Sequence, residues 1–175
     1  MDVLAHGLWG GAVFYPEGVK KFAAAFVLGM APDLLSFGVY HVTRPGWLKL
    51  RLVGEVSGPP PLSTLPEFLF HAYNLTHSLV VWTALFVVIW MIRRHPPWLF
   101  FAWALHILCD IPTHSSGFFP TPYRWPLSTP FVEGTSWAAP WFMMTNYTAL
   151  LVFYCGMFFY VRKRDKRHKG INNGR

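Results

Sequence analysis

Between Pro97 and Ile111 every residue is apolar, aromatic, proline or a thiol except two, His106 and Asp110. An ionised side chain facing hydrocarbon there costs about 3 kcal/mol, so this stretch folds only where both polar groups find partners. Their i, i+4 spacing places them one turn apart on the same helix face, where an imidazole nitrogen and a carboxylate oxygen converge on one cation or on each other. A bound metal is the reading favoured by the position, and a structural hydrogen-bonded pair is the alternative. His114 continues the interval of four but follows Pro112, which interrupts the helical ladder, and it reads equally as a ligand or as a loop histidine.

The rest of the chain agrees with a membrane setting. At 53% hydrophobic and only 13% charged, the 175 residues are too apolar for an ordinary soluble domain. The pattern predicts an all-α, multi-pass transmembrane helical bundle, a single membrane-embedded domain over residues 1–161 followed by a basic tail over 162–175. About four spans are expected: Phe22–Tyr40, Leu75–Ile92, Pro97–Ile111 and Trp141–Val161. Val3–Tyr15 is too short to cross alone and reads as a half-spanning or tilted N-terminal helix; with no basic leader or small-residue cleavage site, it reads as retained. Cys109 and Cys155 fall in apolar segments and read as buried thiols rather than a disulfide.

The formal charge of +7 is explained by topology. Six of the fifteen Lys and Arg residues crowd into Arg162–Lys169, directly after the last span, as in a cytoplasmic stop that meets anionic lipid headgroups. Lys20, Lys21, Arg93 and Arg94 flank other spans on the same side, leaving Arg44, Lys49, Arg51 and Arg124 outside. This orients the chain in a cell (inner) membrane with its tail cytoplasmic. Aromatic residues end at Tyr160 before the basic run, so no base-stacking platform accompanies the charge and nucleic acid is not an expected partner. Two connections then face outward, His41–Phe70 and Pro112–Pro140; neither has helical periodicity, and both read as irregular loops. Trp125, Trp137 and Trp141 suit an interfacial belt.

Depth along the helices supplies an independent test. At ~1.5 Å per residue, Asp33 stands roughly 18 Å above Lys21, His77 roughly 24 Å above Arg93, Asp110 roughly 20 Å above Pro97, and His6 roughly 18 Å above Gly18. Four segments therefore deliver a His or Asp to one layer near the outer boundary of the hydrocarbon. Asp33, after Pro32, must be protonated, paired, metal-bound or a cap on a broken helix. His71 and His77 bracket a polar stretch at the start of a span, where Thr76 or Ser78 can satisfy free amides. The ligand set predicted from position is His6, Asp33, His71, His77, His106, Asp110 and His114. His41, His95 and His168 read as loop or tail residues, and Glu67 and Glu133 as outer-face acids without a motif.

These residues occur in an order that resembles the predicted membrane-bound metal-dependent hydrolases of the YdjM-like type, whose relatives include zinc-dependent phospholipase C and the single-strand-specific zinc nucleases. The resemblance rests on His6-Gly7, Pro32-Asp33, His71 with Thr76-His77-Ser78-Leu79, and His106-x-x-x-Asp110 with Gly117 and Trp125-Pro126, and it covers about residues 1–130. The chain departs from that pattern in two places. It has Leu34-Leu35-Ser36 where the family continues with a second Asp and a His, and Ala72-Tyr73 where Arg-Gly is usual, so a second metal or the group that binds an anionic substrate is missing or supplied differently.

The resemblance implies a hydrolase with one or two divalent ions, most simply zinc, acting on a phosphoester or ester of a lipid or lipid-linked substrate. Asp33 or Asp110 would take the proton of the attacking water. A non-catalytic intramembrane metal-binding or transport protein is the alternative. Polar residues continuing to the cytoplasmic side would favour transport, and a single outer layer of ligands favours hydrolysis.

Overall fold

The computed structural model describes the backbone of residues 1–172 and the side chains up to Arg164. Residues 173–175 and the side chains of 165–172, which carry much of the expected basic tail, lie outside the described residues. Among the described residues the fold is all-helical, with one isolated β-bridge between Ser115 and Phe118.

Helix α1 (Val3–Phe14) starts where the Asp2 carboxylate accepts the amide of Ala5 at 3.0 Å, a side-chain N-cap. It packs against α2 (Val19–Thr43) through small residues. A Cβ added at Gly29 would come within 2.6 Å of the His6 carbonyl, and one at Gly10 within 2.9 Å of the Ala25 carbonyl, so this crossing admits only glycine at those points. Close approach of the two backbones is what sets His6 beside the second half of α2.

Helix α2 contains Pro32, whose missing amide N–H opens the ladder. The chain answers with a π-turn over Leu34–Gly38 rather than a break, and Ser36 donates from Oγ to the Pro32 carbonyl at 2.8 Å. Asp33 sits at the mouth of that turn within a continuous helix, not as the cap of a broken one.

The first outer connection departs from expectation, because it contains a short helix α3 (Gly46–Leu52), and α4 (Glu67–Thr76) takes up its last residues. α4 meets α5 (Leu79–Arg93) at a bend of 59°. Ser78 makes the bend by capping α5: its Oγ accepts from the amides of Val80 and Val81 at 3.1 and 3.2 Å and donates to the Trp125 carbonyl. Helix α6 (Phe101–Asp110) follows a turn over Trp98–Phe100 and is tied to its neighbours by indole N–H donors, Trp103 to the Thr76 carbonyl at 2.8 Å and Trp82 to the Phe100 carbonyl at 3.0 Å. The last helix, α7, runs over Pro140–Asn172.

Two helices, Val19–Thr43 and Pro140–Arg164, are long and apolar enough to cross a membrane, and the bent pair α4 and α5 raises the number to three if it is one span. This corrects the expectation of about four. The segment expected at Pro97–Ile111 forms a helix of the 10–17-residue class, shorter than the ~20 residues a span needs, and Ala102, Ala104, His106, Ile107 and Asp110 are buried against other helices. α7 has the opposite character: 11% of its most apolar window is buried, and Leu151, Val152 and Phe159 stand exposed as on a lipid-facing helix. Cys155 lies on this helix and is exposed while Cys109 is half-buried, so both thiols are free but neither is fully enclosed as expected.

The second outer connection is irregular, as anticipated, and it is pinned. Gly134 donates to the His114 carbonyl at 2.8 Å and Trp137 to that of Thr113 at 3.0 Å, while Glu133 accepts from the amide and hydroxyl of Ser116, both at 3.1 Å. Phe119 anchors it in a core of Tyr40, Leu65, Leu69 and Tyr73.

Candidate metal centre

Five residues from four helical segments meet in one buried cluster. His6 comes from α1, Asp33 from α2, His77 from the bend between α4 and α5, and His106 and Asp110 from α6; His114 reaches in from the loop that follows. None of the six exposes more than 9% of its surface. His71, the remaining expected ligand, stays outside: its side chain is 70% exposed on the outer turn of α4, 3.4 Å from Glu67. One turn and a half of helix separates it from His77, and the bend at Ser78 turns only His77 inward.

Asp110 is the hub. His6 Nε2 is 2.8 Å from its Oδ1, His106 Nε2 3.1 Å and His77 Nε2 3.6 Å from its Oδ2, and His114 Nε2 3.4 Å from Oδ1. The Met1 amino group also contacts Oδ1. Asp33 Oδ1 lies 3.5 Å from His77 Nε2 and 3.9 Å from His106 Nε2.

The outer nitrogens of the histidine rings decide what the inner ones can do. His106 donates from Nδ1 to the Gly29 carbonyl at 2.7 Å, His77 to the Tyr73 carbonyl at 3.1 Å, and His114 to the Phe119 carbonyl at 2.9 Å. A carbonyl only accepts, so these contacts favour a proton on Nδ1, although His77 Nδ1 also lies 3.0 Å from the Thr76 hydroxyl; in a neutral ring with that tautomer Nε2 is a lone pair. The Nε2 atoms of His77 and His106 then face each other at 3.1 Å, and both face a carboxylate. With both rings neutral and protonated on Nδ1, this sets acceptors against acceptors in a buried site. His6 Nε2 and Asp110 Oδ2 have neighbours at these distances but no hydrogen bond of acceptable direction.

A cation resolves the arrangement. A tetrahedral ion with donors at ~2.0–2.1 Å holds those donors roughly 3.3 Å apart. His77 Nε2, His106 Nε2 and Asp110 Oδ2 are separated by 3.1, 3.1 and 3.6 Å. An extra proton would satisfy one such contact, whereas a divalent ion would satisfy all three; of the two carboxylate charges, the Met1 amino group already offsets that of Asp110 in part. His6, Asp33 and His106 form a second set whose donor atoms also lie within 4.8 Å of one another. The buried His and Asp groups can therefore hold a metal ion. His106 belongs to both sets and offers one lone pair, which cannot bridge two ions, so the sets compete for it.

The supporting shell contains residues that the sequence did not single out. Gly29 supplies the carbonyl that orients His106, four residues before Asp33 on the same helix face. The Tyr73 ring stacks on His77 at a centroid distance of 3.8 Å, and its hydroxyl donates to the Phe119 carbonyl at 3.0 Å. That carbonyl also receives His114, and Phe119 holds a left-handed φ of 47° to present it, a strained conformation for an aromatic residue. His6 stacks on His106 at 3.6 Å. Glu133 clamps the loop at Ser116, and Glu67 is on the exposed face of α4; neither enters the cluster.

Beside the cluster a cavity of about 430 Å3 opens, bordered by Asp33 and His114 at one side and by α3 at another. No family model matches the chain, and no curated protein or solved structure matches it.

Proposed function

We propose that the chain is a membrane-bound metal-dependent hydrolase of the YdjM-like kind, holding one zinc ion through His77, His106 and Asp110 and acting on a phosphoester or ester of a lipid or lipid-linked substrate. The observation that carries this reading is that Nε2 of His77, Nε2 of His106 and Oδ2 of Asp110 lie against one another at the spacing of a three-ligand zinc site, where a bound ion would keep a fourth position for water or substrate. When bound, such an ion supplies Lewis acidity toward a substrate oxygen and toward water.

The chain's own groups divide the remaining work. Asp110 is enclosed by four imidazoles and 1% exposed, so its role is to hold charge. Asp33 has an 11% exposed side chain and borders the cavity, which makes it the carboxylate placed to accept a proton from an attacking water. The carbonyls of Gly29, Tyr73 and Phe119 fix the rings and raise their basicity as ligands.

Two further observations support the reading over ion transport and support an outward-facing site. An apolar layer of Phe14, Ala25 and Ala102, with Leu28 and Leu99 packed on it, follows the cluster toward the other end of the bundle, where an ion path would need polar groups. At that other end Lys21 and Arg93 border one shared cavity, the arrangement expected of a cytoplasmic face, which supports a metal centre on the non-cytoplasmic side.

The test is metal analysis of detergent-purified protein beside Asp110→Ala and His77→Ala, with hydrolysis of a phosphoester amphiphile measured before and after chelation. About one zinc per chain in the wild type, lost in both variants, is the expected result. Unchanged metal content in both variants would overturn the site.

A further inference from the structure

Helix α3 is the feature that neither the cluster nor the membrane spans explain, and the helix before it fixes where it lies. α2 opens with Lys20 and Lys21 and runs to Thr43. Counted from Lys21 at ~1.5 Å per residue, Thr43 stands roughly 33 Å along the axis, just past the ~30 Å of a hydrocarbon core. Gly46 follows three residues later, a reach of about 10 Å at most, so with α2 as a span α3 starts at the membrane boundary on the metal-centre side.

This short helix is apolar on two faces. Trp47 and Leu48 border the cavity that Asp33, Leu34 and Phe37 border from α2. Leu50, Leu52 and, just past the helix end, Val53 do not border it, and Leu52 and Val53 are 77% and 69% exposed. Val42, in the last turn of α2, is 83% exposed, and Val39 and Leu35, one and two turns below it, are exposed as well. Uncovered apolar side chains therefore run along the span to its end and resume on α3. The charge pattern agrees with such a position. Residues 44–61 hold three cations, Arg44, Lys49 and Arg51, against one acid, Glu55, and basic side chains beside a Trp at the boundary suit phosphate headgroups. Lys49 falls between Leu52 and Val53 around the helix, and its stem is long enough to lie along lipid while the ammonium reaches the headgroups. A second copy meeting the same surface would set these cations against their own kind.

We propose that α3 is an interfacial helix, with Leu50, Leu52 and Val53 seated in the lipid leaflet on the metal-centre side, and that lipid rather than a second copy or another protein covers them. The proposal goes beyond the hydrolase reading and requires no metal. It also sets the depth of the cavity: Asp33 lies roughly 15 Å below Thr43 on the same helix, so the space between α2 and α3 lies alongside the acyl chains of that leaflet.

Nitroxide labels read this placement directly. In a full-length background of Cys109→Ala and Cys155→Ser, single cysteines are introduced as Leu52→Cys and Val53→Cys, with Leu151→Cys on the exposed face of α7 as the lipid reference and His95→Cys in the exposed turn after α5 as the aqueous one. Each is labelled and placed in nanodiscs of phosphatidylcholine with a minority of phosphatidylglycerol, and collision rates are measured with oxygen, which concentrates in hydrocarbon, and with nickel-EDDA, which stays in water. The expected result is a ratio of oxygen to nickel collisions at positions 52 and 53 that exceeds the ratio at 95 and approaches that at 151. All four positions are exposed, so the labels keep the fold, which a thermal scan verifies.

Nickel collisions at 52 and 53 as frequent as at 95 would place α3 in water and overturn the proposal. Low collision rates with both reagents, or dipolar broadening between labels at 52 that disappears on dilution with unlabelled protein, would assign the surface to a second copy and overturn it equally. The same label pattern in a chain that proves metal-free leaves the interfacial helix standing while the hydrolase reading fails.

Discussion

His106 donates to the carbonyl of Gly29 at 2.7 Å, and Gly29 also leaves no room for a Cβ against the His6 carbonyl of α1, so the backbone crossing that brings His6 to the cluster also orients the histidine shared by both ligand sets. Helix packing and ligand geometry are thus set by one residue. Gly29→Ala would place a methyl 2.6 Å from the His6 carbonyl and push the helices apart. The expected cost is about 1–3 kcal/mol of stability. Metal affinity should fall with it, because His106 loses its anchor. Thermal unfolding and zinc titration of this variant check both, and wild-type values would show that the crossing tolerates a side chain.

Removal of the metal should destabilise the fold itself. The ligands come from α6, the α4 and α5 bend and, at the edge, α1 and α2, so an ion held there ties these segments together only in the native state. Binding at a hundredfold excess over Kd contributes about 2.7 kcal/mol. Chelation is expected to lower the unfolding midpoint of the wild type and to leave that of Asp110→Ala unmoved. Equal shifts in the two proteins would place the ion elsewhere.

Tyr73 separates ring from hydroxyl. Tyr73→Phe keeps the stack on His77 and removes only the donor to the Phe119 carbonyl, a loss of about 1 kcal/mol, and zinc content should stay at the wild-type level. Tyr73→Ala opens a cavity in the buried core, costs about 3–5 kcal/mol and frees the His77 ring. A zinc affinity that responds equally to both changes would assign the effect to the hydroxyl rather than to the stacked ring.

His71 supplies the control. Its side chain is 70% exposed and meets only Glu67, so His71→Ala should change stability by no more than about 0.5 kcal/mol and leave metal content intact. Loss of metal in this variant would mean that α4 rotates on loading.

The gathering of His6, Asp33, His77 and Asp110 was readable from the sequence because helical rise is fixed and Lys or Arg residues mark where each helix starts. Depth could be counted without knowing the packing. Asp110 as hub could not, since which oxygen faces which nitrogen depends on side-chain geometry across helices. His71 shows the limit of reading by segment: it shares a helix with Thr76, yet the Ser78 cap bends the chain so that only His77 turns inward.

Hydropathy marks Pro97–Ile111 as a span, and a short apolar helix buried among others has the same composition. α3 carries no helical signature in the sequence, because Leu48, Leu50 and Leu52 alternate with Lys49 and Arg51, a period that matches no helix face. The Phe119 carbonyl, presented by a left-handed aromatic residue, leaves no trace in the sequence at all.

The two carboxylates should part company when each loses its charge. Asp110→Asn keeps the shape but withdraws one negative charge from beneath His6, His77, His106 and His114, so the ion should be lost and turnover with it. Asp33→Asn alters a group at the edge of the donor triad, 3.5 Å from His77 Nε2 and facing the cavity. There the ion should be retained, and kcat should fall by about 100-fold or more at nearly unchanged KM, the range for a lost general base. Parallel metal analysis and kinetics on a phosphoester amphiphile distinguish the two. Loss of the ion in Asp33→Asn would make Asp33 a ligand instead of the proton acceptor, and full activity without Asp33 would remove it from the chemistry altogether.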